Sequence, residues 1–218
     1  MREPINVSGM VLSVSPVGEY DKRVVILTRE LGKITAFARG ARRMKSPLMA
    51  VSNPFVFGEF QVYEGRDSYT LSGANIKEYF LDLAQMQPGV YYGFYFLELA
   101  EYFGQEGNDE TQMLNLLYVT MNAIRRGKQD LRLVRCIFEL RTITISGEAP
   151  QMFSCMECST KENLTVFSLR DSAIYCPNCG KTIRDPWPLQ PGTVLACRYI
   201  IAAPLAKLYG FTAVSYTH

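Results

Sequence analysis

The sequence predicts an α+β protein, with a small five-stranded β-barrel first and an all-helical domain after it that carries an inserted four-cysteine zinc ribbon. Short alternating apolar runs with Gly and Pro between them extend to about residue 76 and predict the barrel. From Phe80 the apolar spacing becomes helical, and two Cys-x-x-Cys pairs follow. We place the domains at residues 1–79 and 80–218, with the ribbon at about 153–183.

Five runs rich in β-branched and aromatic residues predict the barrel strands. The alternation of the third run predicts that Phe37 points into the core. The longest connection, residues 39–54, separates the third and fourth runs. The runs are Val7–Val14, Val24–Thr28, Gly32–Ala38, Phe55–Val62 and a strand that starts at Tyr69.

Three apolar runs with helical spacing follow the barrel. We expect helices from Pro88 to Phe103, from a capping Asp109 to Arg126, and from near Asp130 onward. The β-branched stretch at residues 141–145 predicts that the third helix ends early. After the ribbon, Pro186-Trp187-Pro188 predicts a rigid linker, and a last helix is expected from Thr193 to Leu208.

The two Cys-x-x-Cys pairs are 17 residues apart and favour a tetrahedral zinc site. Two disulfides or a redox dithiol are the alternatives. Four sulfur ligands leave no open coordination position, so the predicted metal is structural. The segment has few large apolar side chains, and we expect metal binding to supply its folding free energy. The predicted ligands are Cys155, Cys158, Cys176 and Cys179.

Basic residues concentrate in and around the connection that follows the third strand. Four cations fall within seven residues there, beside a glycine and a serine, a composition that favours contact with phosphates. Tyr20 and Phe37, if exposed nearby, would stack on bases, although the core is favoured for Phe37. The alternative is a solvated basic loop. The predicted nucleic-acid contacts are Lys22, Arg23, Lys33, Arg39, Arg42, Arg43 and Lys45.

The sequence predicts no enzyme. Its only histidine is His218, the last residue, and no phosphate-cradling glycine motif is present. The residues after Met1 contain no apolar run typical of a signal peptide, and no stretch is long enough for a membrane span. Cys136 and Cys197 lie in apolar helical patterns and are expected to be buried free thiols. Reduced thiols beside a thiolate site predict a cytoplasmic protein.

The order of barrel, basic loop, helices and ribbon resembles the RecO family of bacterial recombination-mediator and DNA-repair proteins. The resemblance covers nearly the whole chain. It rests on Gly9-Met10-Val11-Leu12, Glu19-Tyr20-Asp21-Lys22, residues 27–33, residues 38–46, Pro54-Phe55, Phe138-Glu139-Leu140-Arg141 and Lys207-Leu208-Tyr209.

The resemblance implies an N-terminal OB-fold that binds single- and double-stranded DNA and anneals complementary strands. It also implies a nucleoid-associated protein that works with the partner RecR to load RecA onto DNA coated by single-strand-binding protein. Relatives generally continue into another helix after Lys207-Leu208-Tyr209, whereas this sequence ends at His218.

Family members also bind the acidic, hydrophobic tail of single-strand-binding protein through their helical region. The candidate residues for the tail lie around one predicted helix–helix turn, and a solvated helix face is the alternative. They are Arg125, Arg126, Lys128, Arg132 and Arg135.

Two other functions compete with DNA annealing. One is a zinc-ribbon adaptor whose barrel binds RNA or ribosomal components. The other is a protein-interaction module that is stabilised by a metal ion and has no nucleic-acid role.

Overall fold

The fold was analysed in a computed structural model that describes residues 3–211. Met1, Arg2 and the segment 212–218, which includes His218, lie outside the described residues. The chain divides between Leu131 and Arg132 into two compact units. We call them the barrel unit, up to Leu131, and the ribbon unit, from Arg132. The sequence-predicted boundary near residue 80 lies within the barrel unit.

The barrel unit contains the predicted five-stranded barrel, closed in the order β1-β2-β3-β5-β4. Neighbouring strands are antiparallel except for a short parallel pairing of β3 with β5. This arrangement confirms the expected OB-fold. The strands are β1 (Ile5–Val17), β2 (Asp21–Thr28), β3 (Gly32–Ala38), β4 (Phe57–Glu64) and β5 (Tyr69–Glu78).

The barrel core contains the inward-facing residues of β3, which are Ile34, Ala36 and Ala38. Successive strand residues point to opposite faces, so Phe37 points outward and is only half-buried. The prediction that Phe37 lies in the core is therefore wrong. The alternation itself was predicted correctly, but its phase was reversed, because Ile34 and the small alanines on either side of Phe37 fill the barrel.

Two helices complete the barrel unit, close to their predicted bounds: α2 (Gly89–Phe103) and α3 (Thr111–Arg126). The Asp109 carboxylate accepts the Thr111 N–H at 2.9 Å at the start of α3. A four-residue helix, α1 (Leu48–Val51), lies between β3 and β4 and was not predicted. It is too short to show a helical period.

The ribbon unit begins with α4 (Leu131–Ile145), which continues through the stretch where we expected it to end. Tertiary contacts outweigh the low helix propensity of the β-branched residues. Thr142 is buried, and the Arg141 guanidinium donates to the carbonyls of Ile200 and Ile201. These carbonyls lie in the last turn of α6 (Pro191–Ala202).

The ribbon is a three-stranded sheet in the order β7-β6-β8. Its strands are β6 (Val166–Ser168), β7 (Ala173–Tyr175) and β8 (Pro186–Pro188). The Pro186-Trp187-Pro188 segment is thus an edge strand and not the linker we predicted. Prolines are tolerated there because an edge strand leaves some N–H positions unpaired.

The ribbon also has an apolar core, which the sequence underestimated. Leu164 and Ile174 are buried in one cluster with Val194 of α6. The Arg198 Nε atom on α6 donates to the Met152 carbonyl at 2.6 Å, which joins the helix to the start of the ribbon. Burial of these side chains therefore contributes to the stability of this unit.

None of the helices in the described part of the chain has the length and hydropathy of a membrane span.

Candidate nucleic-acid interface and metal centre

The four predicted metal ligands come together at the ribbon. Cys155 and Cys158 lie on one turn, and Cys176 directly precedes the short helix α5 (Pro177–Gly180), which contains Cys179. The four Sγ atoms all lie within 4.8 Å of one another. The Sγ atoms of Cys158 and Cys176 are 3.8 Å apart. This matches the edge of about 3.8 Å expected for a tetrahedron with metal–sulfur bonds near 2.3 Å.

Backbone amides point at these sulfurs. Burial raises the pKa of the Cys155 thiol, but three backbone N–H groups that donate to its sulfur outweigh burial and lower the pKa to about 6. These groups belong to Cys158, Cys176 and Glu157. N–H groups of Cys179 and Asn178 lower the pKa of Cys176 in the same way.

Hydrogen bonding to the Cys176 side chain raises the pKa of Cys179 to about 12. Backbone N–H donors thus stabilise negative charge on the sulfurs of the cluster. A divalent cation with sulfur-favouring chemistry balances such a charge, and the N–H donors support each thiolate ligand. The residues thus fit a metal ion.

The basic loop, residues 39–45, is fixed against the turn between β1 and β2. The Gly40 N–H donates to the Asp21 carboxylate at 2.7 Å, and Gly40 has a positive φ of 67° that favours glycine. The Arg42 N–H donates to the Tyr20 carbonyl at 2.9 Å. The Arg42 guanidinium also donates to the Gly18 carbonyl at 3.2 Å. The loop is therefore held in one conformation by the turn.

Most of the predicted contact residues are exposed to solvent at this end of the barrel. Arg39 and Lys45 are exposed, and neither makes a side-chain hydrogen bond or ion pair within residues 3–211. Arg42 is exposed despite its hydrogen bond to Gly18. The Arg43 guanidinium lies 4.9 Å from the centre of the Tyr20 ring. Arg23 on β2 is also exposed.

Lys22 and Lys33 are placed differently, since both ammonium groups make intramolecular hydrogen bonds. Lys22 Nζ donates to the Ser52 carbonyl at 3.0 Å and to Asn53 Oδ1 at 2.9 Å. Burial, followed by the nearby Arg42 charge, lowers the pKa of Lys22. Lys33 Nζ donates to the Glu101 carbonyl near the end of α2 at 2.6 Å. These lysines connect the barrel to α1 and α2.

The residues predicted to bind an acidic tail fall in both units. Arg125 on α3 forms salt bridges with Glu78 at 3.0 Å and with Asp82 at 2.6 Å. Its guanidinium also lies 5.4 Å from the centre of the Phe80 ring. The hydrogen bond to Asp82 is the main cause that raises the pKa of Arg125; desolvation opposes it, and the hydrogen bond to Glu78 adds to it.

The remaining four predicted residues of this group differ in their environment. Arg126 and Lys128 are exposed at the end of α3. Arg132 and Arg135 lie on α4 in the ribbon unit, and Arg135 is bonded to Glu139 at 2.7 Å.

Two aromatic side chains lie at the basic end of the barrel, and the sequence analysis placed one of them, Phe37, wrongly. Tyr20 is 42% exposed and is covered by Arg43. Phe37 lies on the outer face of β3, directly opposite Arg23 on β2. The alternation of Ile34, Ala36 and Ala38 was the signal that identifies the outward set, and it was available in the sequence.

The fold and the cysteine cluster define a protein with an OB-type barrel, a helical region and a ribbon that can hold a metal ion through four sulfurs. The chain belongs to the recombination protein O family. The model of the family's N-terminal part, "Recombination protein O N terminal", matches residues 1–80. That of the C-terminal part, "Recombination protein O C terminal", matches residues 89–216.

Relatives named "DNA repair protein RecO" are similar over most of the chain. The one from Alkaliphilus metalliredigens is 32% identical over 98% of this chain and 87% of its own length. The one from Bacillus pumilus is 30% identical over 94% of this chain and 79% of its own length. The one from Bacillus subtilis is 28% identical over 92% of this chain and 78% of its own length.

Proposed function

We propose that this protein binds DNA in recombinational repair, anneals complementary single strands and, with RecR, helps to load RecA onto DNA coated by single-strand-binding protein. The observation that carries the DNA-binding proposal is the ordered basic loop on the barrel. Family membership supports the repair context and the two partners. Such a role places the protein at the nucleoid in the cytoplasm.

Five exposed cations at one end of the barrel carry the proposed contact: Arg23, Arg39, Arg42, Arg43 and Lys45. Guanidinium and ammonium groups neutralise phosphates and release the counterions condensed on the nucleic acid. Screening the repulsion between two strands lets their bases pair, and annealing needs no covalent chemistry. Lys22 and Lys33, predicted from sequence as contacts, hold the barrel to its helices in this proposal.

We further propose that the metal is zinc and that its role is structural. The support is chemical: four sulfur ligands, a sulfur–sulfur distance of 3.8 Å and N–H donors to the thiolates. Zinc accepts this ligand set and has no redox chemistry of its own. All four sulfurs are needed as ligands, so the site does not activate water.

A triple variant tests the proposed phosphate contacts. Replacing Arg39, Arg42 and Arg43 with alanine should weaken binding by a similar factor for all DNA sequences. The dependence of log K on log salt should become shallower by about 2 on single strands, at about 0.7 per lost phosphate contact. Fluorescence anisotropy with labelled oligonucleotides at several salt concentrations measures both effects.

The matched control removes three exposed cations from the ribbon unit, through Arg170→Ala, Lys181→Ala and Arg184→Ala. This control should keep the salt dependence of the wild type. An equal loss in both triples would reject the barrel as the contact surface. A sequence-selective loss would contradict phosphate contact, and a clear preference of the wild type for RNA would favour the adaptor function.

For the acidic tail of single-strand-binding protein, we propose Arg126 and Lys128 at the end of α3 and Arg132 and Arg135 on α4. Two double variants, one in each unit, separate the contributions when they are titrated with the tail peptide. Loss of affinity in one pair assigns the tail to that unit. Unchanged affinity in both pairs rejects these residues.

A further inference from the structure

The barrel presents two aromatic rings beside arginines at the end that carries the basic loop. The first is Tyr20 in the β1–β2 turn. Arg43 covers its ring with a centre-to-guanidinium distance of 4.9 Å, and the residue remains 42% exposed. A guanidinium at this distance from a ring makes a cation–π contact that fixes the orientation of both groups.

The second ring is Phe37 on the outer face of β3. Phe37 lies opposite Arg23 in the antiparallel register, so both side chains are on the same face. The Arg23 guanidinium is 3.4 Å from the Thr35 hydroxyl, which lies on that face as well. Arg23 is three positions after Tyr20, which is about 10 Å of extended chain.

The backbone that carries both rings is held in place before any ligand arrives, and the Arg43 guanidinium also contacts the Tyr20 ring. The Tyr20 carbonyl accepts the Arg42 N–H, and the Asp21 carboxylate accepts the Gly40 N–H. Phe37 belongs to a strand paired on both sides, with β2 and β5. Binding to rings that are already fixed loses less side-chain freedom than binding to mobile rings.

We propose that Tyr20 and Phe37 form a stacking platform for unpaired bases, which makes the barrel bind single strands in preference to duplex. This inference rests on the proposed DNA-binding function and specifies its ligand. Every base has a π-face, so the platform is indifferent to sequence. In a duplex the base faces are already stacked on their neighbours and do not reach the rings.

The platform also favours release of the duplex once two strands have annealed. A base stacked on a ring still presents its pairing edge, so a complementary strand can pair with it. Once the duplex forms, the stacking contribution to binding is lost and only the phosphate contacts remain. The product therefore binds more weakly than the reactant strand and leaves the barrel.

The test compares Tyr20→Leu and Phe37→Leu with Tyr20→Phe, which keeps the ring. Each leucine variant should lose about tenfold in affinity for single strands, within the range known for one stacked base, and keep its affinity for duplex. Tyr20→Phe should keep both affinities. Tyr91→Leu is the matched control, since Tyr91 is an exposed tyrosine (62%) on α2 and not on the barrel, and it should bind both ligands like the wild type.

A second measurement does not depend on any variant's folding. The wild type is titrated with an abasic strand of the same length and charge as a normal single strand. The proposal requires weaker binding of the abasic strand. Equal affinity for the two strands, or an equal loss of single-strand and duplex affinity in the leucine variants, overturns the platform. A wild type that binds no DNA at all overturns the proposed function itself.

Discussion

At the scale of single residues, the same side-chain type has two roles at the basic end of the barrel. Lys45 is exposed and makes no side-chain bond within residues 3–211, whereas Lys22 donates to Ser52 and Asn53. The two differ in position on the barrel. Lys22 is paired with Ala38, which faces the core, so its stem starts on the inner face and its ammonium group reaches the end of α1. The local sequence does not show on which face of the barrel each lysine lies.

Arg125 gives a prediction at this scale. Arg125→Ala should destabilise the barrel unit by about 1 kcal/mol, because it removes two charge-assisted hydrogen bonds that are partly screened by solvent. The side chains of Arg125 and Glu78 are both 30% exposed. Urea unfolding followed by circular dichroism measures the change. Arg126→Ala removes a neighbouring exposed charge and should leave stability unchanged. Equal effects would mean that the ion pairs with Glu78 and Asp82 contribute nothing specific.

At the scale of elements, the turn between α2 and α3 closes against the start of β3. The Lys33 N–H donates to the Gln105 carbonyl at 2.9 Å, and the Gly107 N–H donates to the Leu31 carbonyl at 3.0 Å. Gly32 makes this approach possible. A Cβ there would lie 2.2 Å from the Gln105 carbonyl oxygen, and its φ is +68°.

Gly32→Ala should therefore destabilise the barrel unit by about 2–4 kcal/mol, through the left-handed backbone and the clash with the turn. Gly107→Ala is the control, because Gly107 also has a positive φ but a Cβ there meets nothing within 4 Å. It should cost only about 1–2 kcal/mol. Thermal melts of both variants measure the two losses of stability. Equal losses would show that the contact between the new Cβ and the Gln105 carbonyl oxygen is relieved without a cost in free energy.

The ribbon gives the second prediction at this scale. Cys176→Ser should abolish stoichiometric metal binding and expose the ribbon to proteolysis, since a hydroxyl is a poor replacement for a thiolate ligand. DNA affinity should persist because the basic loop belongs to the barrel unit. Metal analysis, limited proteolysis and anisotropy together measure these outcomes.

Cys136→Ser is the control for this variant, because Cys136 lies outside the cluster and is exposed, so the expectation that it is buried was wrong. It should keep the metal and the protease resistance. Loss of DNA binding in Cys176→Ser alone would mean that the two units fold as one.

At the scale of the whole molecule, charge is segregated along the chain. Residues 1–80 carry 11 Lys/Arg against 8 Asp/Glu, whereas residues 79–124 contain six acidic residues and no Lys or Arg. The acidic segment includes α2, whose Glu98 and Glu101 repel phosphates, whereas α3 contains no acidic residue and ends in Arg125 and Arg126. Under the proposed function, we therefore expect DNA to approach the loop end of the barrel unit.

A salt titration of annealing gives the prediction at this scale. If the five exposed cations each neutralise one phosphate, single-strand affinity should fall by roughly a hundredfold between 50 and 200 mM salt, with a slope of about −3.5. Acceleration of oligonucleotide annealing should disappear over the same range. A stopped-flow annealing assay tests this. Acceleration that is independent of salt would contradict a phosphate-screening mechanism.

Much of the fold could be predicted from the sequence, because the strands and helices follow the local periodicity of apolar residues. The bounds of β3 were predicted to the residue, and α2 and α3 were found within two residues of their expected starts. The errors were at places where distant contacts decide. Ser168 and Val166 turn the proline segment into strand β8, and α6 supports α4 through Arg141.

The sequence by itself determined the four-cysteine cluster and the basic loop, because each consists of like side chains at close spacing in the chain. The chemistry of such a set can be inferred without knowledge of the fold. Only the tertiary structure decided which cations remain available and which aromatic rings face solvent. A lysine's partner or a ring's exposure depends on residues 20 to 70 positions away, such as Asn53 for Lys22 and Glu101 for Lys33. These residues come into contact only when the barrel unit folds.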